Sequence, residues 1–206
     1  ASVLMPGVQH MRHTHLPEHK FVKGQPETGV EMAEDLERIA MNFGGENIAA
    51  CIIEPIAGST GTLVPPKGYL KRVREICNKH GILLIFDEVI TGWGRTGSAF
   101  AAQEWNVTPD IMTMAKATTN GVVPMGVVAV KEEIYDSVLD ASSAPEGTPE
   151  LFHGYTYSGI PVAVAAALAV QDIFDKEDIF KRAKEMSPYL QDGLQSLKDL
   201  KEVVSI

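Results

Sequence analysis

Apolar residues in this chain occur in short continuous blocks that predict strands. Residues 48–53 and 82–86 are apolar at nearly every position, as expected for strands that are covered on both faces. Residues 110–115 and 125–130 predict a third and a fourth strand. A helical segment separates the first two strands, so the pattern predicts an α/β fold with a mostly parallel sheet.

Helical periodicity is clearest in two segments near these strands. Residues 30–43 place apolar side chains at helical spacing, and Thr28 with Glu31 has the spacing of a capping box. Residues 69–80 repeat the pattern and are followed by Gly81, which predicts the end of that helix.

The last third of the chain also predicts helices. One begins at Pro161, where proline is tolerated in the first turn, and runs to about residue 174. Residues 176–200 predict another, interrupted near Pro188.

The first 25 residues show no clear period and are interpreted as a loop. They contain four histidines, which suggest a metal-binding module as one alternative: His10, His13, His15 and His19. No cysteine or aspartate stands near them to complete a ligand set, so we expect solvent-facing histidines and no metal site.

Composition narrows the function classes. The net charge is −9, with 27 acidic and 18 basic residues, which argues against binding of nucleic acid or of an anionic membrane. No run reaches the roughly 18 apolar residues of a membrane span.

The two cysteines, Cys51 and Cys77, lie in apolar patterns and predict free buried thiols in a reducing cytoplasm. The chain has no initiator methionine and ends on the strand-like residues 203–206, so we expect an internal piece of a longer polypeptide.

Charged residues follow three of the predicted strands: Glu54, the pair Asp87 and Glu88, and Lys116. Open α/β sheets bind ligands at the carboxyl ends of their strands. An amine and a carboxylate there suit pyridoxal 5'-phosphate, whose aldehyde takes a lysine and whose ring nitrogen takes an acid. From spacing alone, a salt bridge between Asp87 and Lys116 at a sheet edge remains an open interpretation and is the simpler one.

A series of motifs makes the cofactor interpretation more specific. Residues 85–97 read IFDEVITGWGRTG, and PDI (109–111), AK (115–116), NG (120–121) and PMG (124–126) follow in order. IEPIAG (53–58) and PKGYL (66–70) precede them, and HGYTYSG (153–159) comes later. This series resembles the cofactor-binding block of the class III, or omega, aminotransferases, and the resemblance is closest to the omega-amino acid (beta-alanine):pyruvate branch.

The resemblance implies roles for five residues. Lys116 would form the imine with the cofactor and then move the substrate proton. Asp87 would pair with the ring nitrogen, and Val89 would pack under the ring. Thr156 would bind the cofactor phosphate of a partner subunit, and Glu54 would lie on the substrate side, a position often paired with an arginine.

The resemblance also implies an architecture and a reaction. The fold would be the large domain of fold type I, incomplete here, over residues 1–175, with a small domain beginning at 176–206. The enzyme would be a cytoplasmic homodimer that moves an amino group from an omega-amino acid or amine donor to pyruvate or another 2-oxo acid. The family's phosphate-cupping segment, its ring-stacking aromatic residue and its substrate arginine are not in this sequence, so the isolated chain is expected to be inactive.

Two departures from the family pattern concern isoleucines. Ile90 stands where many relatives have a glutamine that reaches the cofactor's phenolic oxygen, and an aliphatic side chain cannot make that hydrogen bond. Ile160 stands before Pro161, where histidine or asparagine is usual, and we expect a harmless substitution at a helix entry.

Two other enzyme classes remain as alternatives. Decarboxylases, racemases and aminomutases share the scaffold and the acid–lysine pair, because the same cofactor serves them all. Residues 92–97 also fit the GxGxxG pattern of dinucleotide-binding proteins. That pattern fits poorly, because its glycines should directly follow the strand and open a helix.

Overall fold

The computed structural model describes residues 5–143, 145 and 154–206, so the motif residue His153 lies outside it. The described strands are β1 (Ala50–Ile53), β2 (Leu83–Asp87), β3 (Ile111–Met114) and β4 (Val127–Val130). The described α-helices are α1 (Glu34–Phe43), α2 (Tyr69–His80), α3 (Ala101–Glu104), α4 (Glu132–Ala141), α5 (Pro161–Lys176) and α6 (Ile179–Gln195).

The four strands form one mixed sheet in the order β1-β2-β3-β4, which confirms the α/β prediction. The first three strands are parallel, and β4 is antiparallel to β3. The direction of β4 follows from its connection, because residues 115–126 contain a 3₁₀ turn (Lys116–Thr118) and no α-helix. A parallel partner would need a longer crossover, usually a helix.

The core lies where α1 and α2 cover one face of the sheet. Alternate residues of β2, Leu84 and Phe86, point into it and are fully buried. The helices contribute their apolar stripes to the same cluster, including Leu36, Val73, Ile76 and Cys77. Each fully buried side chain of this kind contributes about 1.5–3 kcal/mol. This packing covers the face of β2 that carries Leu84 and Phe86. The opposite face of the strand, which carries Asp87, is half-buried.

The second helix begins and ends as predicted. α2 spans Tyr69–His80, and Gly81 follows it with φ +69°, donating its N–H to the carbonyl of Cys77. Glycine reaches this left-handed conformation without steric cost, which is why it ends so many helices.

The capping box at Thr28 is wrong. The segment Val30–Ala33 is a 3₁₀ turn before α1, its N-cap is Gly29 with φ +107°, and no side chain makes a capping hydrogen bond there. Thr28 instead contacts His19, with 3.3 Å between Oγ1 and Nε2. The expectation of a solvent-facing histidine also fails here, because His19 is 5% exposed.

Pro188 does not interrupt the last helix. It lies inside α6, which runs continuously over Ile179–Gln195 and buries none of its residues. Water can therefore satisfy the carbonyl group left unpaired by the missing proline N–H, so the helix tolerates the residue.

Both cysteines are buried and carry free thiols, as predicted. None of the helices in the described ranges is long and apolar enough to cross a bilayer. Within the same ranges, no cluster of three or more His, Cys, Asp or Glu side chains could hold a metal ion.

Candidate active site

The charged residues expected at the site follow neighbouring parallel strands. Glu54 comes directly after β1, Asp87 is the last residue of β2, and Lys116 follows β3 after Ala115. β2 and β3 are the two central strands and are parallel, so the acid and the amine lie side by side at the carboxyl end of the sheet. This is the edge at which open α/β sheets bind ligands.

Asp87 is held by its own turn. Its Cα pairs with that of Thr113 in β3, and its Oδ1 accepts the backbone N–H of Val89 at 3.1 Å. The carboxyl group accepts no other hydrogen bond and forms no ion pair within the described ranges. One oxygen is therefore fixed and the other is available to a ligand.

Glu88, the next residue, has a different role. It is completely buried, and its carboxylate accepts the N–H groups of Ala101 and Ala102 at 2.7 and 2.8 Å. It also accepts the hydroxyl of Thr91 at 2.9 Å. The strand alternation thus separates the two adjacent acids, because Asp87 faces the open side and Glu88 anchors the start of α3.

Lys116 is solvent-exposed and opens a 3₁₀ turn, Lys116–Thr118. Its backbone is left-handed, with φ +47°. Its ammonium group forms no ion pair with any described residue, and Asp87 in particular is not its partner. The simple salt bridge at a sheet edge is therefore not what the structure shows.

Glu54 caps the loop that follows β1. Its Oε2 accepts the N–H of Gly58 at 2.9 Å, and Gly58 in turn lies against the side chain of Ile90. No arginine pairs with Glu54 in the described part of the chain. Arg95 donates to the carbonyl of Ile90 at 2.7 Å. Ile90 therefore fills space between two loops at the site edge.

The remaining two predicted site residues lie in different surroundings. Val89 is half-buried in the turn after β2, beside Asp87. Thr156 is exposed in a turn before α5, between Tyr155 and Tyr157, which are 75% and 79% exposed. The structure thus groups Glu54, Asp87, Val89 and Lys116 at one sheet edge and leaves Thr156 on an exposed turn of the surface.

Sequence reasoning missed two residues at this edge. The indole Nε1 of Trp93 donates to the Oγ1 of Thr118 at 2.9 Å, which joins the loop after β2 to the turn that carries Lys116. The only signal in the sequence was that Trp93 lies in the motif at 85–97 and Thr118 lies between the motifs at 115–116 and 120–121, and spacing could not pair them.

The GxGxxG alternative is contradicted by the local structure. Residues 92–97 form turns, and Gly94 and Gly97 both have positive φ. The helix that follows, α3, starts four residues after Gly97 and is only four residues long (Ala101–Glu104). A dinucleotide site needs a helix that opens directly on the third glycine.

Comparison with known proteins decides the family. Residues 2–206 match the model of the class III aminotransferases. The chain belongs to the class III aminotransferase family. Among curated relatives, it is 54% identical over 204 residues to the omega-aminotransferase of Caulobacter vibrioides, covering 98% of this chain and 46% of the relative. It is 48% identical to the beta-alanine–pyruvate aminotransferase of Pseudomonas aeruginosa, covering 97% and 44%.

Solved transaminases have the same fold. An (S)-enantioselective omega-transaminase from Thermomicrobium roseum gives a TM-score of 0.77 at 42% identity, covering 82% of this chain and 37% of that one. A thermostable omega transaminase mutant from Pseudomonas jessenii gives 0.85 at 32% identity, covering 96% and 44%. The expected family and fold type I class are confirmed. This class III chain spans less than half the length of the relatives it matches.

Proposed function

We propose that this class III chain is the cofactor-binding part of an omega-aminotransferase that uses pyridoxal 5'-phosphate. The amino donor would be an omega-amino acid or an amine, and the acceptor pyruvate or another 2-oxo acid, as the names of the relatives suggest. The same scaffold also serves decarboxylases, racemases and aminomutases. Transamination is favoured because the curated relatives most similar to the chain are named as aminotransferases.

One observation carries this proposal. Asp87 and Lys116 end the two central parallel strands at the same edge, and neither forms an ion pair within the described ranges. The carboxylate and the amine lie at the same end of the sheet but do not pair with each other. This arrangement suits a ligand that lies between them, with an acceptor facing the amine and a donor facing the carboxylate. A pyridinium ring with an aldehyde has both.

Each residue then has a chemical task. Lys116 would hold the cofactor through its amine and, once released, take a proton from the substrate carbon that bears the amino group. Asp87 would keep the ring nitrogen protonated, so that the bound cofactor supplies an electron sink. Val89 would orient Asp87 through its N–H and pack below the ring. Glu54 would border the substrate, and Thr156 would serve the phosphate of a partner subunit.

The assembly and the domain limits belong to the same proposal. An exposed Thr156 between two exposed tyrosines is consistent with a surface that a second subunit covers, as a homodimer requires. We place the large domain over residues 1–175 and the start of the small domain at 176–206, near the end of α5 at Lys176. A cytoplasmic location is consistent with the two free buried thiols.

The test is substitution of Lys116 by alanine in the full-length protein. We expect loss of the yellow absorbance and of transamination between beta-alanine and pyruvate. Lys71→Ala is the matched control, because Lys71 is also exposed but lies on α2. Activity of Lys116→Ala equal to that of the Lys71→Ala control would refute the proposal.

A further inference from the structure

The indole of Trp93 connects the two loops that carry the proposed acid and amine. Trp93 lies in the loop after β2, six residues beyond Asp87, and its Nε1 donates to the Oγ1 of Thr118 at 2.9 Å. Thr118 ends the turn that begins at Lys116 and is only 3% exposed. The contact is therefore sheltered from water, which strengthens a hydrogen bond.

Thr118 connects Trp93 to the backbone of Ala115, the residue before Lys116. Its hydroxyl donates to the carbonyl of Ala115 at 3.0 Å, and its own N–H donates to the same oxygen at 3.0 Å. A threonine hydroxyl has one proton and can accept as well. With that proton committed to Ala115, the lone pairs are free for Trp93, so the three residues form a chain that closes the turn around Lys116.

The backbone at Lys116 requires such support. Its φ of +47° lies in the left-handed region, which is unfavourable for a residue with a side chain. Strained residues persist only where their surroundings hold them, and they are concentrated at active sites. The described contacts that hold this turn include the hydrogen bonds of Thr118 and the packing of α5 against it.

Trp93 is itself held firmly. Its ring stacks on Phe174 of α5, with 6.1 Å between centroids and 23° between planes, and meets the edge of Phe100 at 5.1 Å. Its backbone N–H donates to the carbonyl of Ala99 at 2.6 Å. A fixed indole can impose its position on Thr118, whereas a mobile one could not.

We propose that Trp93 is a positioning residue, which sets the direction of the Lys116 amine through Thr118. The inference rests on the proposed function, because it gives Lys116 the role of cofactor lysine. Trp93 and Thr118 do not touch the reacting atoms, and they act through the backbone of the turn. Ordinary packing is the competing explanation, and it predicts that the aromatic ring matters and the indole N–H does not.

Trp93→Phe and Thr118→Val separate these explanations, because each retains most of the side-chain volume and removes one partner of the hydrogen bond. In the full-length holoenzyme we expect Trp93→Phe to lower kcat about fivefold, the effect of one net hydrogen bond, with KM for the amino donor unchanged. Thr118→Val should lower kcat at least as much, because it also loses the hydrogen bond to the carbonyl of Ala115. The double variant should lose no more than Thr118→Val alone. Thr118→Ser keeps the hydroxyl and should have the kcat of the unsubstituted protein. Trp105→Phe, the same change at the other tryptophan, should also leave kcat unaltered.

A second readout needs no cofactor. In the cofactor-free full-length protein, the indole N–H of Trp93 should exchange slowly with deuterium, faster in Thr118→Val, and slowly again in Thr118→Ser. Unchanged exchange in Thr118→Val, or effects of the two single variants on kcat that multiply, would overturn the inference. Neither result bears on whether Lys116 carries the cofactor, which the Lys116→Ala variant tests separately.

Discussion

Asp87 and Thr113 are Cα partners at the carboxyl ends of the two central parallel strands, and Lys116 lies three residues beyond Thr113. The acid and the amine are therefore placed by backbone pairing and not by contact with each other. Since β2 is packed against α1 and α2 through Leu84 and Phe86, the position of Asp87 depends on the core beneath it. The position of the proposed site acid and the packing of the core are thus properties of the same strand.

Asp87, the last residue of β2, and Glu88, the residue after it, point to opposite sides, which predicts opposite effects for the two acids. Asp87→Asn keeps the size of the side chain and removes the charge that would face the ring nitrogen. We expect kcat to fall about 100-fold or more, as for loss of a preorganised electrostatic partner. The free energy of unfolding should change by no more than about 0.5 kcal/mol, because the side chain is half-buried and accepts only the N–H of Val89. Steady-state kinetics and urea unfolding measure the two effects.

Glu88→Gln is the matched comparison. The buried carboxylate accepts hydrogen bonds from Thr91, Ala101 and Ala102, and an amide has only one oxygen to offer. We expect the free energy of unfolding to fall by about 2–3 kcal/mol, the cost of unsatisfied buried donors. A stable Glu88→Gln protein with a smaller activity than Asp87→Asn would mean that the two acids have been assigned the wrong way round.

Asp110 makes stability depend on pH. Burial raises the pKa of its carboxyl group, but hydrogen bonds outweigh burial and hold the pKa below its ordinary value. The donors are Lys131, the N–H of Leu84 and Arg74. A lowered folded-state pKa adds stability that is complete above the unfolded value, about 3.9, and is lost as the pH falls through the folded value.

Asp110→Asn measures this contribution. At pH 7 it should lower the free energy of unfolding by about 3 kcal/mol, because Arg74 and Lys131 lose their charged partner. The deficit relative to the unsubstituted protein should shrink as the pH is lowered below about 4. Urea unfolding at a series of pH values gives the curve, and a deficit that stays constant down to pH 3 would contradict the pKa assignment.

Much of the fold followed from sequence pattern because the core elements are strongly periodic. α2 was predicted residue for residue, since its apolar stripe and Gly81 agree on where it ends. The entry to α1 was not, because Gly29 takes a left-handed turn that makes Thr28 a partner of His19. The continuity of α6 through Pro188 depends on exposure to water, which the sequence does not state.

The candidate site was predictable only in part, for a related reason. Asp87 and Lys116 could be named because strand ends and motifs mark them. The separate role of Glu88 could be assigned only once the end of β2 at Asp87 was known. The contact between Trp93 and Thr118 joins residues 25 positions apart in two irregular loops. Loop conformation has no period, so such contacts become visible only in three dimensions.

Ile90 and Gly58 give a prediction about the edge of the site. A Cβ added at Gly58 would lie 2.6 Å from Cδ1 of Ile90. We expect Gly58→Ala to cost about 1–3 kcal/mol of stability through overpacking. Adding Ile90→Val, which removes that methyl group, should recover part of the loss, as thermal unfolding would show. A double variant no more stable than Gly58→Ala would place the strain elsewhere.

We propose that Lys116 carries the cofactor. Reduction of the full-length protein with borohydride in the presence of pyridoxal 5'-phosphate, followed by peptide mapping with mass spectrometry, tests this assignment. We expect one stoichiometric adduct, on the peptide that contains Lys116. A stoichiometric adduct on another lysine, with the Lys116 peptide unmodified, would contradict it.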